Sequence, residues 1–494
     1  MREPIVSFLA FAGLAALGIT VAVRPRSPHQ PPAAPAPSAT ASSPASSAPA
    51  AGPSAPPPAA ISAVPSASAA SSAPPAASSA GAPAEAPALD RPLQVAVLGW
   101  ELAVPLVVAN QGLDPSPRSE FSKAGVGVKL GVSDRLSAIE NALARGGADR
   151  DGADIALLSL PSFVAAYERL RALNPEIFFV VGWSRGRDAL MADKEWLTAD
   201  LKGPVALAGD DATPSLFLGL WSLGLAGFAP PQLKLLPSSK ASEAQASAQD
   251  RSSPFEGPHR MALLSTADAS RLIPYVAVAQ RSLLERHGPS LVSWARGWLT
   301  GQKLVEADPA AAARSVGSTQ GAPGPLPLLK GMGEIQPSSL ADGVRAAGLS
   351  GRNAITLEGL FQQSWQVWKQ AGVVTSPAPD AAPIAPGVLA ALVRSEGMPP
   401  APGGPTRLGS DKGKPLLVVR HKDEPDERAL EAQIGLLAGA FERSAVRVAR
   451  RDERKLKKLL ESAQGTYDIA PGRLLPATKA PEKGSVLIEV FPAP

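Results

Sequence analysis

The sequence predicts an α/β protein built on parallel-rich sheets with helices on their faces. Two observations carry this. From Arg91 onward, apolar runs of strand length alternate with longer stretches whose apolar residues recur at helical spacing. The fullest unit is LKGPVALAGDDATPSLFLGLWSLGLAGF, Leu201 to Phe228. Here Val205–Ala208 has strand length, Gly209-Asp210-Asp211-Ala212-Thr213 supplies turn residues and helix-capping candidates, and Pro214 suits a first helical position. A strand that delivers a polar loop onto a helix start leaves free N–H groups facing whatever lies above it, which is also an ordinary β–α connection.

Ahead of the globular part, Ile5–Val23 is an uncharged apolar run, close to the ~20 residues that span a bilayer. It is a membrane helix or a long signal core. Arg2 precedes it while Arg24 and Arg26 follow, so flanking charge does not set its direction. The absence of small residues directly after it favours a retained anchor, and later Ala-Pro-Ala tripeptides keep cleavage open. The first segment is therefore 1–26. Residues 27–90 are almost wholly Pro, Ala and Ser, too poor in apolar surface to offset ordering entropy. As a disordered, polyproline-rich tether, about 60 residues at ~3.1 Å each would reach on the order of 200 Å.

In chain order, Leu93–Leu98 predicts a strand, followed by Gly99-Trp100-Glu101 and a helix-like run Ala103–Asn110. Val126–Val132 alternates as a strand. Asp134–Arg145 carries Leu136, Ile139 and Leu143 at helical spacing, and Asp154–Leu158 returns as a strand into Ser159-Leu160-Pro161-Ser162. Phe178–Trp183 is a further strand, as are Leu233–Leu236 and Met261–Leu264, with a helix and loop expected across Ser238–Gly257. Pro274–Ala279 leads to a helix, and Ser290–Val305 is an amphipathic helix whose Trp294 and Trp298 favour a core role over a ligand platform. Leu357–Gln370 and Val388–Val393 are helices around the proline-rich loop Pro377–Pro386.

Composition excludes several functions. No cysteine occurs in 494 residues, which removes disulfides, thiolate chemistry and a lipidated-cysteine anchor. The four histidines, His29, His259, His287 and His421, lack ligand-pair spacing, so no metal or other cofactor is expected. The net charge of +4 is spread thinly, against nucleic-acid binding. No Gly-x-Ser-x-Gly, His-Glu-x-x-His or phosphate-loop motif is present, and the adjacent Asp210 and Asp211 are poorly placed to face each other as acid and base. An enzyme is not expected.

The series LQVAVLGWELAVPLVVANQGL, DIALLSLPSF, DLKGPVALAGDDATPSLFLGLWSLGLAG, PYVAVAQRSLLERHG and FQQSWQVWKQAGVV resembles the type 2 periplasmic solute-binding proteins of the nitrate/sulfonate/bicarbonate ABC transporter class. The resemblance spans about three-fifths of the chain. It implies a two-lobed fold over 91–394, with a second lobe at about 188–273, and a small solute trapped by hinge closure. Carried over by position, the implied ligand contacts are Trp100 and Glu101, Ser159 and Ser162, Asp210, Asp211, Thr213 and Ser215, with Ser265–Asp268 as a looser match. Where members of that class offer hydroxyls and N–H groups to an oxyanion, this chain has two carboxylates, which points to a cation or an amine; alternatively, Asp211 only caps the helix.

After a linker at 395–412, residues 413–494 predict a small α/β domain: strands Pro415–Val419, Ala445–Ala449 and Tyr467–Ala470 and helices Asp426–Glu442 and Asp452–Leu460. Asp468-Ile469-Ala470 repeats Asp154-Ile155-Ala156, so this unit is either a partial copy of the opening half-lobe or a plain accessory domain. Its basic stretch Arg450–Lys458 suits a solvated face. The expected function is a membrane-tethered receptor facing the periplasm or cell exterior, capturing a small solute for an ABC permease. The alternative is a sensory or scaffolding module, with a signalling partner, that keeps the fold without transport.

Overall fold

A computed structural model describes residues 89–198, 203–250, 261–351, 353–398, 409–423, 425–477, 481–482 and 484–493. The apolar run Ile5–Val23 and the Pro/Ala/Ser tether, up to residue 88, lie outside them. Among the described residues no helix is long and apolar enough to cross a membrane.

The chain first lays down β1 (Leu93–Leu98), α1 (Trp100–Asn110), α2 (Glu120–Lys123), β2 (Val128–Ser133), α3 (Leu136–Arg145), β3 (Ile155–Ser159), α4 (Leu160–Leu170) and β4 (Pro175–Ser184). It then crosses to a second sheet made of β5 (Asp188–Ala192), β6 (Val205–Ala208), β7 (Leu233–Leu236), β8 (Ala246–Asp250) and β9 (Met261–Ser265), with α5 (Pro214–Leu225) following β6. A second crossing returns it to the first sheet as β10 (Pro274–Gln280), followed by α6 (Arg281–Ala307), α7 (Pro309–Gly317), α8 (Pro325–Gly333), β11 (Ile335–Pro337), α9 (Leu340–Ala346), α10 (Leu357–Gln370) and α11 (Gly387–Glu396).

The two sheets share one plan. The first runs β11-β4-β10-β3-β1-β2, the second β9-β5-β8-β6-β7. In each, a first strand lies parallel between two others, β1 between β2 and β3, β6 between β7 and β8. In each, the strand that has just crossed from the other lobe, β10 or β5, is inserted antiparallel beside the third. Burial on both faces explains the unbroken apolar runs of β3, β4 and β10.

One face of the first sheet packs on α1 and α6, where Trp294 and Trp298 stack at 6.1 Å in the core. The opposite face packs on α3 and α4, and its core continues through α10 into the second lobe. Trp368 on α10 donates Nε1–H to the Pro161 carbonyl on α4 at 2.8 Å and lies 6.1 Å from Phe217 on α5. One helix therefore touches both lobes.

Three expectations fail. Of the stretch Ser238–Gly257, residues 251–257 lie outside the described ones; before them the helix is only a 3-10 turn, Ser238–Glu243, and Ala246–Asp250 is a strand inside the second sheet, whose Ala and Ser side chains give little apolar signal. Tyr467–Ala470 is not a strand either. Helix α13 (Glu453–Tyr467) runs through to Tyr467, carried by buried Leu456, Leu459, Leu460 and Ala463, and Asp468 ends it in the left-handed region at φ 51°. The partial-copy reading falls with it. The C-terminal sheet places β15 (Val486–Val490) antiparallel between β12 (Leu417–His421) and β13 (Val446–Arg450), with β14 (Leu474–Pro476) outside, whereas a copy would pair the first two strands directly in parallel.

This C-terminal unit, completed by α12 (Glu427–Ala440), shares the core of the second lobe. Phe441 stacks on Trp221 at 6.0 Å, Val418 N–H donates to Leu197 O at 2.9 Å, and Arg271 in the second crossover bonds Ala440 O and Glu442.

Candidate functional site

Strands β1 and β6 occupy equivalent places in their sheets, and each ends in a turn that sets the start of a helix at the gap between the lobes. At β1 the turn is Gly99, whose φ of 90° is costly for any residue with a Cβ. Helix α1 starts at once, so Trp100 and Glu101 sit in its first turn and not in a loop. At β6, Asp210 accepts from Ser238 N at 3.2 Å through Oδ1, and Thr213 caps α5 by accepting from Leu216 N at 3.3 Å. The cap is thus Thr213, not Asp211: Ala212 takes φ 62° and turns the chain so that only the residue before Pro214 reaches the helix N–H groups.

Helix α4 follows the same logic, with Ser159 as its cap, accepting from Ser162 N at 3.2 Å. Ser162 Oγ in turn donates to the Ala212 carbonyl at 2.8 Å, a direct bond between lobes.

These parts enclose a cleft of about 910 Å³. All eight residues singled out from the sequence line it: Trp100, Glu101, Ser159, Ser162, Asp210, Asp211, Thr213 and Ser215. Ser265–Asp268 do not; Thr266 instead bonds Ser184 Oγ and Gly186 N, both at 2.8 Å, behind the cleft.

Sequence reasoning passed over the centre of the site. Arg187, in the first crossover, lines the cleft and donates Nε–H to Asp250 on β8 at 2.9 Å, with Nη1 3.3 Å from Glu101 on α1. Burial works against its charge, but nearby Tyr275, Asp250, Glu101 and Asp188 prevail and raise its pKa. Next to it Asp188 is fully buried, accepting from Ser184 Oγ at 2.6 Å and from Ser215 Oγ at 2.7 Å. Burial pushes its pKa up to about 6 against those two bonds. Burial likewise raises Tyr275 on β10, which faces the same cleft. A charged residue beside a long buried strand end was the available signal: Arg187 and Asp188 come directly after Trp183-Ser184-Arg185-Gly186.

Among the described residues the cleft lining carries the carboxylates of Glu101, Asp134, Asp210, Asp211 and Asp250 against the single guanidinium of Arg187. No group of side chains there or elsewhere among the described residues has the makings of a metal site.

Two lobes of one strand plan, each completed by the strand arriving from the other, with the site between them, decide the architecture. The fold is that of type 2 periplasmic binding proteins. No protein-family model matches the sequence, and no curated protein does. Among solved structures the chain is similar to the periplasmic aliphatic sulphonate binding protein SsuA from Escherichia coli, at 14% identity and TM-score 0.42 over 57% of this chain and 88% of that one. It is also similar to the periplasmic nitrate-binding protein NrtA from Synechocystis PCC 6803, at 10% identity and TM-score 0.43 over 63% and 92%. A third is the ligand-binding component of an ABC-type import system from Staphylococcus aureus, at 11% identity and TM-score 0.42 over 61% and 98%. The assignment of the fold rests on strand order and crossovers.

Proposed function

We propose that the two-lobed part of this chain is an extracytoplasmic receptor that holds a small cationic or amine-bearing solute in the interlobe cleft, tethered by its N-terminal segment and serving ABC-type uptake. The observation that carries this is the cleft itself, walled by both lobes and lined by five carboxylates, with Arg187 held between Glu101 and Asp250.

Magnitudes favour a cationic solute. A helix N-terminus favours an anion by about 0.3–1 kcal/mol, up to about 2 when partly buried. A sulfonate about 4 Å from a carboxylate is repelled by about 1–4 kcal/mol between water-like and surface-like dielectrics. Asp210 and Asp211 together outweigh what the starts of α4 and α5 offer. Trp100 adds a flat aromatic wall on which an ammonium group can rest.

Binding needs no covalent step. Contacts from Trp100, Ser159 and Ser162 on one lobe and from Asp210, Asp211, Thr213 and Ser215 on the other favour the closed arrangement by the solute's differential affinity for it. The C-terminal unit supports a second reading, a receptor that signals without transport, because its Phe441 and Glu442 attach to the second lobe and its crossover.

Thermal melting of the full chain against amines, amino acids, nitrate and sulfonates tests the proposal. Stabilisation by an amine class, weakened in Asp210→Asn/Asp211→Asn, is expected. Stabilisation by no class at all overturns the receptor reading; a response to sulfonates that strengthens in the double variant overturns its charge.

A further inference from the structure

The C-terminal unit is seated on both lobes. Towards the second lobe, Phe441 stacks on Trp221, Val418 N–H donates to Leu197 O, and Lys414 Nζ lies 3.0 Å from Glu195. Towards the first, Gly439 of α12 lies so close to the link between α9 and α10 that an added Cβ would stand 2.6 Å from Ile355 Cγ1 and 2.8 Å from Ala354 Cβ. That link is held to the first lobe at both ends. Before α9, Ser338 N–H donates to Val181 O on β4 at 3.3 Å, and beyond it α10 carries the bond from Trp368 to Pro161 on α4.

Arg271, in the second crossover, joins these two seats. Its Nε donates to Glu442 Oε2 at 2.6 Å, its Nη2 lies 3.2 Å from Asp342 Oδ1 on α9, and its backbone N–H donates to Ala440 O at 3.1 Å. Its guanidinium lies 5.3 Å over the ring of Trp183, where β4 runs into the first crossover. One side chain thus ties both crossovers to the first lobe and to the C-terminal unit. Asp342 is itself fixed, because its Oδ2 accepts from Ser339 N at 3.1 Å and Oγ at 2.7 Å at the start of α9. The unit behind Glu442 is stiff: Arg473, ahead of β14, donates Nη2 to the Phe441 carbonyl at 2.7 Å and so pins the end of α12.

Close-packed helices shift by only about 1–2 Å before an interface must repack. A unit seated on both lobes cannot keep both seats while one lobe swings away from the other. We infer that the C-terminal unit is a brace that sets the angle between the lobes: the cleft opens only when the Gly439 seat and the Arg271 node come apart. None of these residues lines the cleft, so the inference is independent of the solute proposed there.

Two nitroxide labels across the cleft read the angle in the full chain. One is carried by Ser137→Cys, beside cleft-lining Leu136, the other by Ser239→Cys, beside the Ser238 N–H that bonds Asp210; no cysteine of the chain competes for label. Double electron–electron resonance is expected to give one narrow distance. Gly439→Ala favours the helix itself but drives a methyl group into Ile355, and Glu442→Gln keeps the shape of the side chain while removing its charge. A second, longer distance is expected in Gly439→Ala, and with a smaller share in Glu442→Gln, both still melting cooperatively. A broad distribution in the labelled parent overturns the inference, because the lobes then swing with the brace in place. So does a single parent-like distance in both variants, because something else then sets the angle.

Discussion

Replacing Asp188 by asparagine should change how stability depends on pH more than it changes stability itself. The carboxyl is fully buried, and burial moves it from an ordinary 3.8 to about 6, opposed by the Ser184 and Ser215 hydroxyls. At ~1.4 kcal/mol per pH unit, a rise of roughly two units corresponds to ~3 kcal/mol. Because the folded-state pKa is raised, this contribution is complete below pH 3.8 and is lost as pH climbs through 6. Asparagine has no such dependence and can still accept from one serine while donating to the other. The stability of Asp188→Asn minus that of the parent should therefore increase by up to ~3 kcal/mol between pH 4 and pH 7. Urea unfolding followed by tryptophan fluorescence at several pH values measures the difference, in which the titrations of groups remote from Asp188 cancel. Two curves that run parallel across this window would refute the burial argument.

Two further substitutions probe the elements that build the cleft. Thr213→Ala removes the side-chain oxygen that caps α5 and should cost about 1 kcal/mol in urea unfolding, while Thr213→Ser keeps most of it; equal losses from both would mean that the cap contributes nothing. In Gly301→Ala the new Cβ would stand 2.2 Å from the Pro105 carbonyl oxygen, where α6 crosses α1, and neither backbone can turn aside. A cost of about 1–3 kcal/mol is expected, and an unchanged Tm would show that the two helices are not packed this closely.

Much of this architecture was legible because it is written in periodicity. The strand and helix of VALAGDDATPSLFLGLW, the helix Leu357–Gln370 and the core roles of Trp294 and Trp298 all follow from apolar spacing, which reports burial directly. The gathering of Trp100, Ser159 and Asp210 around one cleft was expected only through the resemblance, since no local signal says which loops will face each other. Strand β8 escaped because ASAQD is held in place by its neighbours β5 and β6 and not by its own side chains. Arg187 escaped for a related reason: its partners Glu101 and Asp250 lie 86 and 63 residues away in sequence. The false strand at Tyr467–Ala470 shows the opposite error, in which a three-residue identity outweighed the helical spacing that precedes it.

The stacking of Phe441 on Trp221 bears on how this chain can be shortened. A product ending at Arg394 would keep every strand of both main sheets yet lose the cover over α5, and the Leu197 carbonyl would lose its bond from Val418. Such a truncation should expose a sticky aromatic flank and be cleared or aggregate in the cell, so the last hundred residues, which hold the C-terminal unit, belong to the integrity of the two-lobed fold and not to an optional appendage.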